Sequence, residues 1–429
     1  MTRQRQLKSL IRSRMEHTGE SYMVARRHVL NARPGSEYEL RGGLEPEVTS
    51  IANAFANRGI TDPFTGEPIS EALVLGVGGG LGAGYILWEF GHSKGGPRRV
   101  VTLGFRNQWQ YPDRWMVKVC ERLGIEVAVH ETTGSAKAMR QLDEALEAGI
   151  PAVAFVSTAD LPHWHLPTEQ SGWWGHPIVV YGKEGDRYLI DDRNRARLTI
   201  GAEELAAARV RIPSYKNRLV VADPAAIELE ADRLAAAMRV GLEEQVVHLS
   251  EKSTSFSIPA FEKWAKMLTD TRNAKSWPNV FADGDVVGAL ASVVEQIDDR
   301  GMFGGTLRRQ YADFLGHAGR VLEIDLGKAA RAYEVAADRW LDVAVVCRSM
   351  PAIEEAARLS LKRREAVAGG DAGNRAAREA SKALAKVLDS APALGLDEMT
   401  DLFTSMADAV EAAVAAEREA LETLRSLVT

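Results

Sequence analysis

The stretch GHPIVVYGKEGDRYLIDD, residues 175–192, decides the fold of the first half of this chain. It holds two short runs of β-branched, aromatic and aliphatic residues, 178–181 and 188–190, separated by a polar turn with a glycine between charges. This pattern predicts a β-hairpin. Because a hairpin brings its two ends together, His176 should lie near Asp191 or Asp192. An imidazole beside a carboxylate is half of many catalytic sites, although a histidine before a strand is also common in a structural role.

Helix and strand patterns alternate on both sides of this hairpin, and strand signals vanish from Pro224 onward, where apolar residues recur at three and four positions. The chain is therefore predicted to be α+β, with a basic helical arm at 1–35, an α+β domain at 36–223 and an all-α domain at 224–429. The predicted elements of the α+β domain are helices at 45–58, Trp115–Leu123, Ser135–Glu147 and Gly201–Ala208, and strands at Ala72–Leu75, 100–105, 125–131, Pro151–Val156 and Asn217–Val221.

Composition narrows the class of protein. The chain has 429 residues, 45% hydrophobic residues and a net charge of −6, and it contains no apolar run near the roughly 20 residues that span a bilayer. The first fifteen residues lack the apolar core of a signal peptide, so a cytoplasmic protein without membrane contact is expected. With only two cysteines, a disulfide framework and a cysteine-built zinc site are excluded.

The N-terminal arm is the one strongly basic segment. Residues 1–30 carry seven Lys or Arg against two Glu, a local charge of +5. Since no aromatic residues are interleaved with these charges, a solvated or subunit-contacting arm is favoured over a nucleic-acid site. The Ala-rich helices of the second half predict a homo-oligomer.

The glycine-rich turn Gly76–Gly84 follows the predicted strand Ala72–Leu75 and loosely fits a dinucleotide-binding fingerprint. After the next strand, such a site needs an acidic residue for the ribose, whereas Phe105 and Arg106 stand here and would at best suit the 2′-phosphate of NADP. A structural turn with close backbone approach is favoured, and no cofactor is predicted.

The two cysteines are candidate nucleophiles, and two neighbouring histidines are candidate metal ligands. Cys120 shares an apolar helical face and is predicted to be a core residue, and Cys347 lies in the helical half. His163 and His165 flank Trp164 in a loop, where a His-x-His pattern is more often a lid or surface feature, so no metal site is predicted.

The order of these features resembles the family of butirosin biosynthesis protein H, whose N-terminal domain is papain-like and is followed by a helical domain of uncharacterised function. The resemblance extends over about residues 40–345. It implies acyl transfer or related amide and thioester chemistry on a small-molecule or carrier-protein-bound substrate. The matching segments are EPEVTSIANAFANRGI, LVLGVGGGLGAGY, GIPAVAFVSTADLP, the hairpin itself, LTIGAEELAAAR and GMFGGTLRRQYADFLGHAG.

This sequence departs from the family at the nucleophile. The family usually has His-Cys at the start of the first helix, a position where the helix dipole favours a thiolate, and Glu45-Pro46 stands there in this chain. The resemblance retains the His and Asp, with Asp191 as an alternative partner, and predicts catalytic residues His176, Asp192, Glu45 and Glu47. The predicted substrate pocket consists of Gly78, Gly79, Gly80, Asp160 and Trp164.

Three interpretations of the changed site remain. Glu45 or Glu47 acts with His176 as an acid/base pair, or Thr49 or Ser50 supplies a hydroxyl, or the fold has lost catalysis and binds a small molecule, peptide or carrier protein. The function predicted first is a divergent acyltransferase-like enzyme of specialised metabolism that has no cysteine nucleophile. The inactive binding module and an NADP-binding protein are the alternatives.

Overall fold

The centre of the first half is a six-stranded antiparallel sheet. The structure, a computed structural model, describes residues 38–93, 96–222 and 228–428, so the predicted basic arm at 1–35 lies outside the described residues. The strands of the sheet are β3 Val127–His130, β4 Ala152–Ser157, β5 Gly175–Glu184, β6 Arg187–Asp191, β7 Leu198–Gly201 and β8 Leu219–Ala222. Their order across the sheet is β3-β8-β4-β5-β6-β7.

The sheet is covered on both faces, which explains why every residue of β4 is buried. Val153 and Phe155 face a core shared with the first helix, whereas Ala154 and Val156 face a second core on the opposite side. Successive side chains of a strand point to opposite faces, so one apolar strand serves both cores. The predicted hairpin is confirmed, because β5 and β6 pair antiparallel with Val179 opposite Asp191.

Five α-helices lie within residues 38–93 and 96–222, the part of the first half that the structure describes. Pro46 occupies the first position of α1, where its missing N–H costs nothing and its fixed φ suits the helix. The helices are α1 Pro46–Asn57, α2 Glu71–Val77, α3 Pro112–Leu123, α4 Ser135–Glu147 and α5 Ala202–Val210.

The strand predicted at Ala72–Leu75 is wrong, because these residues lie in α2. Ser70 caps this helix by accepting a hydrogen bond from the Leu73 N–H at 3.2 Å, and that signal outweighs the β-forming composition. The following segment is also not a crossover helix, since β1 Tyr85–Ser93 and β2 Gly96–Leu103 form a separate antiparallel hairpin. The glycine-rich turn therefore joins a helix to a strand, and the strand–turn–helix order of a dinucleotide site is not what the chain forms here.

The second half is helical, as predicted, so the expected fold class is confirmed. Its core is continuous with the core around α1 and α2, and α9 packs against β2 of the separate hairpin. The helices are α6 Ala231–Ser250, α7 Pro259–Thr269, α8 Trp277–Val280, α9 Val287–Ile297, α10 Arg308–Leu322, α11 Gly327–Cys347, α12 Pro351–Ala368, α13 Asn374–Ser390 and α14 Leu396–Val428. Within the described residues, none of these helices combines the length and apolar character needed to cross a membrane.

Candidate functional site

The two ends of the β5–β6 hairpin meet as predicted. His176 lies at the start of β5, opposite Val156 of β4, and Asp192 follows the last residue of β6. The His176 Nε2 atom lies 3.0 Å from Asp192 Oδ1, and both side chains are buried. The predicted imidazole–carboxylate pair is therefore present, with Asp192 rather than Asp191 as the partner.

Asp192 is surrounded by donors. Its Oδ2 accepts hydrogen bonds from the Trp164 indole N–H at 2.7 Å and from His163 Nε2 at 2.8 Å, while Arg193 donates to Oδ1 at 3.1 Å. Burial alone would raise the pKa of Asp192, but the neighbouring His176 and Arg193 and these hydrogen bonds hold it well below its usual range. The carboxylate is thus ionised and shared among several partners.

His176 is held neutral. Burial lowers its pKa, and the attraction of Asp192 does not fully compensate. Because Nε2 carries the proton toward Asp192, Nδ1 is the acceptor, and the Thr158 hydroxyl lies 2.9 Å from it. Both ring nitrogens are therefore already hydrogen-bonded within the protein.

Asp191 points to the other side of the turn and fixes the first helix. Its Oδ2 accepts hydrogen bonds from Asn53 of α1 at 2.9 Å and from the Tyr38 hydroxyl at 3.0 Å. Burial raises its pKa to about 6. The alternative pairing of Asp191 with His176 is not formed.

The first turn of α1 carries a pair of glutamates in place of a thiol. Glu45 is the N-cap residue, and its Oε2 accepts the Val48 N–H at 2.7 Å while its Oε1 accepts the Arg106 guanidinium at 3.1 Å. Glu45 also shares a hydrogen bond with Glu47. The N-terminal end of a helix stabilises a negative charge, so one ionised carboxylate is expected there.

These two carboxyls differ in protonation. Burial and the adjacent Glu45 carboxylate raise the pKa of Glu47 well above its usual range. Burial opposes the ionisation of Glu45, but Arg106 and the hydrogen bonds from Glu47 and Val48 lower its pKa below the usual value. Of the two carboxyls, Glu47 therefore holds a proton more readily than Glu45.

Both glutamates and His176 line the same cavity, which has a volume of about 680 Å³. Small-molecule sites commonly have volumes of about 300–1,000 Å³. Pro46 and Arg106 also line it, so the cavity reaches the start of α1 where the family has its nucleophile. The geometry places two carboxyls and an imidazole on the wall of one ligand-sized space.

Aromatic rings form one side of this cavity. Phe90 of β1 stacks on Trp173 with ring centroids 4.2 Å apart, and Trp174 contacts Phe303 edge to face at 6.5 Å. The opposite side comes from the helical half, chiefly from α9, α12 and α13. The cavity is therefore built by both halves of the chain.

The glycines predicted to shape the pocket lie elsewhere. A Cβ atom on Gly78 would overlap the Trp115 ring, and one on Gly80 would overlap Gln245 and Tyr311. Gly79 has φ of 91° and faces Glu244 of α6. Close packing of the turn after α2, against α3 at Gly78 and against the helical half at Gly79 and Gly80, requires these glycines, and none of the three lines the cavity.

Asp160 and Trp164 were also predicted for the substrate pocket, and neither lines the cavity. Asp160 accepts hydrogen bonds from Ser171 at 2.8 Å and Ser157 at 2.5 Å, which fixes the loop after β4. Trp164 is fully buried against Asp192. The five predicted pocket residues therefore lie outside the lining of this cavity, and their contact with a substrate stays a prediction.

The remaining reactive residues have structural surroundings. Cys120 and Cys347 are buried, and burial raises the pKa of each thiol to about 12. The predicted core position of Cys120 is confirmed. Ser50 donates to the Pro177 carbonyl at 3.4 Å, and neither Thr49 nor Ser50 lines the cavity.

His163 and His165 diverge. His163 binds Asp192, whereas His165 hydrogen-bonds Asn374 at the start of α13. The two imidazoles therefore have different partners. His163 hydrogen-bonds the buried Asp192 carboxylate, and His165 connects the loop to the helical half.

Sequence reasoning missed Thr158 and the role of Arg106. Thr158 lies 18 residues before His176, and its approach depends on the pairing of β4 with β5, which no local pattern specifies. The sequence pattern indicates Arg106 only as a residue that would suit the 2′-phosphate of NADP. A buried arginine after an apolar strand is itself a signal, since it requires a carboxylate partner.

Comparison with known proteins agrees with this geometry. Residues 45–193 match the family described as Butirosin biosynthesis protein H, N-terminal, and residues 233–368 match a domain of unknown function, DUF4872. No curated protein matches the chain. The first matched domain is papain-like, and the family suggests an enzyme-like domain of a biosynthetic pathway. The chain thus has the architecture predicted from its sequence, in which an N-terminal domain of the butirosin biosynthesis protein H family is followed by DUF4872.

Proposed function

We propose that this chain is a divergent acyltransferase-like enzyme in which the Glu45–Glu47 pair replaces the family's thiol and works without a covalent intermediate. The observation that carries the proposal is that two neighbouring carboxyls, those of Glu45 and Glu47, line the cavity wall at the start of α1. A carboxylic acid kept neutral near pH 7 donates a proton, and its ionised neighbour accepts one.

The proposed reaction balances within the pair. An amine or water attacks the carbonyl carbon of an amide, ester or thioester, and Glu45 takes the proton that the nucleophile loses. Glu47 gives its proton to the leaving nitrogen, oxygen or sulfur as the old bond to the carbonyl carbon breaks. The hydrogen bond between the two carboxyls then returns the proton from Glu45 to Glu47.

The His176–Asp192 pair supports this chemistry by keeping the nearby wall neutral. A protonated imidazole in the same cavity would favour the ionised form of Glu47 and remove the acid. Since burial lowers the pKa of His176, that charge is absent at neutral pH. Arg106 stabilises the carboxylate form of Glu45, which keeps the two carboxyls in different protonation states.

The test is turnover of a panel of acyl thioesters and esters, with and without amine acceptors. Glu47→Gln keeps the shape of the acid but cannot transfer a proton, so we expect it to lose about 100-fold or more in kcat, while the exposed Glu67→Gln control keeps full activity. Equal activity in Glu47→Gln and the wild-type protein would contradict the acid role.

A second function, a binding module without catalysis, is favoured by one observation. Both nitrogens of His176 are hydrogen-bonded inside the protein, as in a structural histidine. If this function is correct, no member of the panel is turned over, and an unreactive amide analogue still raises the Tm of the wild-type protein. Turnover that depends on Glu47 would rule it out.

A further inference from the structure

The cavity has two chemically different ends. The reactive corner contains Glu45, Glu47, Arg106 and His176, and the remainder runs between the aromatic wall and the helices of the second half. Ligand sites usually combine an apolar body with a few convergent polar groups, and this division fits that pattern.

Helices of the second half supply an aliphatic wall. Ala291 and Val294 come from α9, Ala357 and Leu361 from α12, and Leu388 from α13. All five side chains are apolar, and Ala291, Ala357 and Leu388 are partly buried against the cores. Burying further apolar surface here is favourable by about 25 cal/mol per Å².

Charged residues at this end are already paired. Arg99 binds Asp283 at 2.8 Å, so its charge is compensated outside the cavity. Asp285 and Asp389 also line this end and are likewise not free. The other pairs are Arg300 with Asp298 at 3.4 Å and Arg363 with Glu295 at 3.5 Å. A strongly charged ligand would therefore have to compete with these pairs, whereas an apolar one would leave them intact.

We propose that the helical domain forms an acyl pocket, so that the transferred group is an apolar acyl chain whose carbonyl lies at the Glu45–Glu47 corner and whose body contacts α9, α12 and α13. This inference rests on the proposed function for the identity of the reacting carbonyl. It assigns the domain of unknown function a direct part in substrate selection.

Binding is tested without turnover by calorimetry with N-methyloctanamide and N-methylacetamide. We expect the octanoyl compound to bind at least ~10-fold more tightly, since each added methylene buries apolar surface. Ala357→Trp and Ala291→Trp place bulk in the pocket from two different helices, and each should remove this preference. The exposed Ala376→Trp on α13 is the matched control and should retain it. Equal affinity for both amides in the wild-type protein would overturn the proposal, as would an unchanged preference in folded Ala357→Trp and Ala291→Trp.

Turnover separates this inference from the proposed function. One outcome is that octanoyl and acetyl thioesters of N-acetylcysteamine are both turned over at equal kcat/KM and that this turnover depends on Glu47. The proposed function is then supported, and the proposal of an apolar pocket is wrong. The other outcome is that the octanoyl amide binds with the expected preference and neither thioester is turned over. The proposal of an apolar pocket is then supported, and the proposed acyl-transfer chemistry is wrong.

Discussion

At the scale of single residues, the site is a set of titratable groups whose pKa values have been moved apart. Burial raises the pKa of Glu47 and lowers that of His176, whereas neighbouring charges and hydrogen bonds lower the pKa values of Glu45 and Asp192. Separated pKa values on neighbouring groups are typical of acid/base sites, although buried structural networks also produce them. Position on the cavity wall distinguishes the glutamate pair from the fully buried Asp192.

His163 is expected to set the protonation of His176 through their shared carboxylate. The His163 imidazole lowers the pKa of His176, so His163→Phe should raise that pKa, which NMR titration of the His176 ring measures. His165→Phe is the matched control, because His165 binds Asn374 instead. A pKa of His176 that stays the same in His163→Phe would show that His163 has only a packing role.

At the scale of elements, α1 depends on the turn that follows β6. Asn53 donates to Asp191 Oδ2 at 2.9 Å and to the Gly42 carbonyl at 3.0 Å, so one side chain ties the helix to two loops. The position of the glutamate pair relative to His176 rests on this connection, because the pair lies at one end of α1 and His176 at the start of β5.

Asn53→Ala should lower the free energy of unfolding by about 1–3 kcal/mol, because Asp191 loses a donor while buried. The native pKa of Asp191 is raised to about 6 from an ordinary value of 3.8, so its native form prefers the proton and stability falls as pH rises through that interval. The cost of Asn53→Ala should therefore be larger at pH 7.5, where Asp191 is ionised, than at pH 5. Urea denaturation at both pH values measures it, and equal costs would contradict this assignment.

The elements also show how far the sequence could be interpreted. Strong local patterns specified the hairpin, the helices of the second half and the approach of His176 to Asp191 or Asp192, and the family resemblance selected Asp192. The β-forming composition of Ala72–Leu75 led to the wrong prediction of a strand, because the Ser70 cap and burial against the helical half determine α2. Thr158 and Arg106 depend on contacts distant in the chain, and the cavity itself depends on how α9, α12 and α13 meet the first half.

At the scale of the whole molecule, one buried arginine of the helical half connects it to the first half. Arg308 of α10 binds Glu417 of α14 at 2.5 Å, and both side chains are fully buried. The same guanidinium donates to the carbonyls of Gly82 at 3.1 Å and Phe105 at 3.2 Å in the first half. The shared cavity therefore depends on a contact that lies outside it.

Arg308→Met should lower the free energy of unfolding by about 3–5 kcal/mol, because it leaves Glu417 buried without its charged partner. The matched control is Arg375→Met, which removes an exposed pair with Glu379 and should cost at most about 0.5 kcal/mol. Urea denaturation of both variants checks the difference. Similar small costs in the two variants would mean that Arg308 does not stabilise the contact between the halves.

The central claim is that the start of α1 carries one protonated and one ionised carboxyl. The most direct measurement is a titration of the glutamate side-chain carboxyl carbons by carbon-13 NMR in the wild-type protein, with Glu45→Gln and Glu47→Gln used to assign the signals. We predict that Glu47 titrates well above the ordinary value of 4.5 and Glu45 below it, and that Glu45→Gln lowers the pKa of Glu47 because it removes the neighbouring carboxylate. Two carboxyls that both titrate near 4.5 and do not respond to each other's substitution would contradict the account.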